Sequence, residues 1–129
     1  MSSIVSNVSH ARSERFEPEP ALDPSEQRKL RGHLEQIDYA AFAANRAIVA
    51  KSMGRVELSA FEHLAVAAAH ARTRWVIAAT AATGKGADLT QDQVVQLGGL
   101  RRAFEELTEA YDAMRRMVER GYLSYHART

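Results

Sequence analysis

Three long stretches of the chain place apolar residues three or four positions apart, the spacing that lines them along one side of an α-helix. The middle stretch, Ser59 to Thr83, reads SAFEHLAVAAAHARTRWVIAATAAT and organises the rest. Phe61, Leu64, Ala68, Ala71, Trp75, Ala78 and Ala82 make one stripe, and Val66, Ala69, Thr73, Val76, Ile77 and Thr80 make a second on roughly the opposite side. A helix apolar on two sides is expected to be sandwiched between neighbours rather than laid over a single core. Ser59 with Glu62 three residues on reads as a capping box that starts this helix, and Gly84 as its stop.

The first stretch opens at Asp23-Pro24-Ser25-Glu26, with an aspartate to cap, a proline where its missing N–H is harmless, and a glutamate in the first turn. It predicts a helix to about residue 53, ended by Gly54. Leu30, Leu34, Ile37, Ala41, Ala44 and Ile48 form its expected core seam, widened by Phe42 and Val49. The third helix is predicted to start at Thr90, where Gln93 completes a capping box and Leu89 is set to staple onto Val94. Leu97, Leu100, Phe104, Leu107, Tyr111, Met114 and Val118 then alternate by three and four, the clearest periodicity in the chain. Gly98-Gly99 interrupts it at about 1 kcal/mol per glycine, predicting either a break or a close approach by another backbone. Gly121 ends the helix, and Tyr122, Leu123 and Tyr125 are expected to fold back as a short aromatic tail.

The connections Arg55 to Leu58 and Gly84 to Asp88 are short, so successive helices should run antiparallel. The predicted fold is therefore all-α: an antiparallel three-helix up-down-up bundle over residues 23–129, with helices near 24–53, 59–83 and 90–120. A flexible, disordered tail covers residues 1–22. Ile4, Val5 and Phe16 give that tail the option of acting as a docking peptide. Helices of about 37 to 45 Å make a slender bundle around an alanine-rich centre. That slenderness motivates an expectation of self-association, as a homodimer burying either the second stripe of the middle helix or the Leu97–Val118 seam.

Composition removes several classes of function. The absence of cysteine excludes disulfides, thiol catalysis and thiolate metal sites together. Seventeen basic against sixteen acidic side chains, a net charge of +1, do not predict a polyanion partner. No apolar run is long enough for a membrane span and no leader pattern opens the sequence, so a cytoplasmic location is expected. The abundance of alanine and arginine points to a bacterial source.

Candidate chemistry is sparse. His63 and His70 lie about 10 Å apart along one helix, too far to share an ion, and neither His-Glu-x-x-His nor paired Glu-x-x-His motifs occur, so no metal or cofactor is expected. Gly84-Lys85-Gly86 lacks the phosphate-loop pattern and follows no strand. No nucleophile elbow or paired carboxylates stand out, so the chain does not read as an enzyme. The leading expectation is a non-enzymatic helical interaction protein, a bacterial regulator, adaptor or chaperone, binding a protein partner through Val66, His70, Arg72, Thr73, Arg74, Val76 and Ile77.

Two other readings use different residues. The ten residues Met114 to Leu123 resemble a recognition helix entering the wing of winged-helix regulators, which implies DNA binding through Arg101, Arg102, Arg115, Arg116 and Arg120. The uninterrupted seam before them and the acids Glu105, Glu106, Glu109 and Asp112 depart from that pattern. A small-ligand or metal pocket near Trp75, His63 and His70 is the third reading.

Overall fold

The computed structural model describes residues 21–127. The tail assigned to residues 1–22, with Ile4, Val5 and Phe16, lies outside them except for its last two positions. The chain is all-α in class, and among the described residues there are three long helices: α1 (Pro24–Ser52), α2 (Leu58–Thr83) and α3 (Gln91–Glu119). The described residues also hold two strands of three residues, β1 (Arg55–Glu57) and β2 (Ser124–His126). A boundary between two units falls inside α1, between Tyr39 and Ala40.

In the first unit, the Asp23 carboxylate accepts the Glu26 N–H at 2.7 Å and caps α1, as its sequence predicts. Leu30, Leu34 and Ile37 are exposed.

In the second unit α2 and α3 form an antiparallel hairpin. Phe61 near the start of α2 meets Tyr111 edge-on at 5.6 Å, and Trp75, further along, stacks on the earlier Phe104 at 6.1 Å. Every residue of the first α2 stripe and of the Leu97–Val118 seam is buried or half-buried, with Ala71 only 2% exposed. Alanine at the contact lets the two helices approach closely, and the Phe61–Tyr111 and Trp75–Phe104 ring pairs add aromatic surface to it. Thr90 and Gln93 form the predicted capping box.

Below the hairpin, Val56, Met114 and Leu123 make the innermost cluster, with Val49, Phe61, Leu64 and Val118 packed around it. Leu123 arrives there because the chain turns back at Gly121 (φ 79°), just past the end of α3, with Tyr122 and Leu123 both donating to the Met117 carbonyl. A side chain at Gly121 would need that rare backbone conformation and would also meet the Phe42 ring at 3.7 Å. The end of α1 is held from the other side, where Phe42 lies 5.7 Å from Tyr122. The returning segment pairs parallel to β1, Val56 opposite Tyr125. The sequence pattern predicts the fold-back but not this pairing, because three residues are too few to show a period of two.

Four expectations are corrected. The α1 seam buries nothing: Ala41 and Ala44 are exposed, and Leu30, Leu34, Ile37 and Ile48 remain 43–66% exposed. Phe42 and Val49, roughly 100° around the helix, make its contacts instead. The second stripe of α2 is exposed, so among the described residues α2 is covered on one side. The α2 helix begins one residue before Ser59, with Glu57 at the N-cap and no side-chain cap, because buried Val56 in β1 fixes where the chain turns. Gly98 and Gly99 neither break α3 nor admit a neighbour; nothing lies within 4 Å of a Cβ at either.

Candidate interaction surface

Stepping about 100° per residue, the contact of α2 with α3 occupies one arc, and Val66, Ala69, Thr73, Val76, Ile77 and Thr80 occupy the opposite one. Val66, Val76 and Ile77 are 55%, 54% and 63% exposed. The threonines on this side are internally satisfied. Thr73 and Thr80 donate to the Ala69 and Val76 carbonyls, each at 2.8 Å, and Thr83 donates to Ala79 at 2.9 Å. Each hydroxyl is thereby turned onto the helix backbone and its methyl left outward. A face whose polar atoms already have partners loses little hydrogen bonding when water is removed from it.

Of the seven residues expected to bind a partner, Val66, His70, Thr73, Val76 and Ile77 lie on this outer side and Arg74 on its border. Arg72 does not. Its guanidinium sits 6.0 Å over the Phe104 ring, at the edge of the α2–α3 contact, where it shields that contact from water. Arg72 and Arg74 thus project to different sides, as their two-residue spacing requires.

The arginines of α3 are exposed but not alone. Arg101 pairs with Glu105 and Arg115 lies 3.7 Å from Glu119. At about 100° per residue, Glu105, Glu109, Asp112 and Glu119 share the arc of Arg101, Arg102, Arg115, Arg116 and Arg120. The result is a face of alternating sign rather than a basic stripe.

Trp75 is half-buried against Phe104, whereas His63 and His70 are exposed on the other side of α2, so the three do not line one pocket. Among the described residues no group of three His, Cys, Asp or Glu side chains converges as metal ligands. No helix among them is long and apolar enough to cross a membrane.

One concavity escapes the sequence pattern. At the foot of the hairpin an open cleft of about 370 Å³ is lined by Leu58, Phe61, Tyr111, Val118 and Tyr125, with Arg115 at its rim. The signal for it is Tyr125, whose ring reaches within 6.2 Å of Phe61 only because β2 pairs with β1.

No family model, curated protein or solved structure matches this chain.

Proposed function

We propose that the protein is a non-enzymatic helical interaction protein, a cytoplasmic bacterial regulator, adaptor or chaperone that docks a protein partner on the outer side of α2 and self-associates as a homodimer. The observation that supports this most is the outer side itself. It extends over four turns from Val66 to Thr80, is mostly apolar apart from His70 and bordering Arg74, and has its threonine hydroxyls bonded back to the helix. Contiguous exposed apolar faces of this kind often mark protein interaction sites. The alternative of a DNA-binding regulator using Arg101, Arg102, Arg115, Arg116 and Arg120 has less support, because interleaved carboxylates weaken the phosphate attraction on which such binding depends.

The test is a bait experiment in the native host. Wild-type chain and a Val76→Asp/Ile77→Asp variant are compared, both with intact helical circular dichroism because the two positions are exposed. A protein retained by the first and lost by the second is the expected result. Equal retention by both, or by neither, rejects the docking reading.

A further inference from the structure

We infer that the cleft at the foot of the α2–α3 hairpin is a binding site for a free α-amino acid with an apolar side chain. Arg115 meets its carboxylate, Glu119 its ammonium, and the rings of Phe61, Tyr111 and Tyr125 its side chain.

Three elements of the second unit build the site. Arg115, Val118 and Glu119 follow Tyr111 by four, seven and eight residues, which sets all four on one side of the last turns of α3. Leu58 and Phe61 come from the first turn of α2, and Tyr125 is brought across by the pairing of β2 with β1. Phe61 stands edge-on to both tyrosine rings, its centroid 5.6 Å from that of Tyr111 and 6.2 Å from that of Tyr125, so the rings hold one another in place. Leu58 and Tyr125 nevertheless show 42% and 41% of their surface to water. The walls therefore carry apolar surface that an apolar group would cover. A volume of about 370 Å³ lies at the small end of the ~300–1,000 Å³ found for ligand sites, a size for a metabolite rather than for an element of a folded partner.

The rim decides the class of ligand. Arg115 and Glu119 both line the cleft, and Nη1 of the first lies 3.7 Å from Oε2 of the second. That is longer than the ~2.7–2.9 Å of a charge-assisted hydrogen bond. Both side chains are also well exposed, at 70% and 67%, so each can turn to a ligand. A monocarboxylate that reaches Arg115 meets the negative charge of Glu119 beside it, and an amine that reaches Glu119 meets the guanidinium. A neutral apolar molecule uses neither. A zwitterion whose two charged groups sit on one carbon answers both at once. An α-amino acid is that zwitterion with a side chain attached, here directed at the rings.

The test titrates the isotope-labelled full chain with L-leucine and L-phenylalanine and follows its amide resonances by NMR. The expected result is a saturable shift, concentrated at Phe61, Tyr111, Arg115, Glu119 and Tyr125, with at least one of the two. Derivatives then take the ligand apart: the N-acetyl form lacks the ammonium, the amide lacks the carboxylate, and glycine lacks the side chain. Each should bind more weakly than the parent, by on the order of fivefold for a solvent-facing charge. Arg115→Gln and Glu119→Gln, at exposed positions that leave the helix intact, should each weaken binding to a similar degree. Absence of a saturable shift with either amino acid at concentrations on the order of 10 mM overturns the inference. So does an N-acetyl or amide derivative that binds as tightly as the free amino acid, because the rim pair would then read neither charge. The Val76→Asp/Ile77→Asp variant, altered on the opposite side of α2, should bind as the wild type does, so this site and the docking reading can fail independently.

Discussion

Replacing Gly98 and Gly99 by alanine tests whether α3 is one continuous helix. Both glycines lie inside α3, at neither of which is φ positive, and an added Cβ would meet nothing within 4 Å. A methyl at either site therefore clashes with no neighbour and buries little. Its effect comes from narrowing the unfolded ensemble and from the higher helix propensity of alanine, about 1 kcal/mol per site. The double variant should gain about 2 kcal/mol. For a unit the size of Ala40–Thr129, each kcal/mol raises Tm by about 4–8 °C. Urea unfolding followed by circular dichroism at 222 nm should show the midpoint rising with the slope unchanged, since the surface exposed on unfolding hardly alters. A neutral or destabilised double variant would refute the continuous helix. It would mean that α3 breaks at the glycines, or that a backbone absent from the single chain approaches them.

Two further outcomes follow from contacts in the second unit. Leu123→Ala should cost about 2–5 kcal/mol, because this side chain is 2% exposed and joins the return of the chain to the Val56–Met114 cluster; urea titration reads it, and a loss below 1 kcal/mol would mean that the returning segment is not docked. Thr90→Ala should cost about 1 kcal/mol, because the Thr90 hydroxyl accepts the Gln93 N–H at 3.1 Å while the Gln93 side chain accepts the Thr90 N–H at 2.8 Å; Thr90→Ser should restore most of the loss in the same titration.

How far the fold is legible in the sequence depends on what each signal encodes. Periodicity places Phe61 to Ala82 and Leu97 to Val118 correctly, since each stripe has the other as its nearest long apolar neighbour across a short loop. The same periodicity marks Leu30 to Ile48, yet those residues are exposed. A stripe states that a helix has a side to bury, not what it buries against. What fixes the end of α1 instead is a ring pair, Phe42 with Tyr122, made possible by the turn at Gly121. That contact joins residues eighty positions apart and leaves no local trace. The parallel pairing of Val56 with Tyr125 is hidden for the same reason. Arg72, spaced two residues from Arg74 and so on a different side, lies over a ring of the next helix at the edge of the α2–α3 contact. The outer side of α2 is legible in its residues, while the cleft beside Phe61 depends on the unforeseen strand.

The distribution of large aliphatic side chains carries the argument beyond the single chain. Leu30, Leu34, Ile37, Ile48, Val66, Val76 and Ile77 all remain about half exposed. Full burial of such a side chain is worth about 1.5–3 kcal/mol, so each forgoes about 1 kcal/mol and the set on the order of 7 kcal/mol per chain. That sum is comparable to the whole stability of an ordinary domain, about 5–15 kcal/mol. Among the described residues the buried core is Val56, Ala71, Met114 and Leu123. Bulky aliphatics on uncovered helix faces, with alanine at the α2–α3 contact, are what the proposed docking reading requires. Association offsets part of this gain through lost freedom of motion, but the remainder links folding to binding. On the proposed reading the two apolar sides of α2 have separate uses: one closes the hairpin within the chain, and the other contributes stability when a partner covers it.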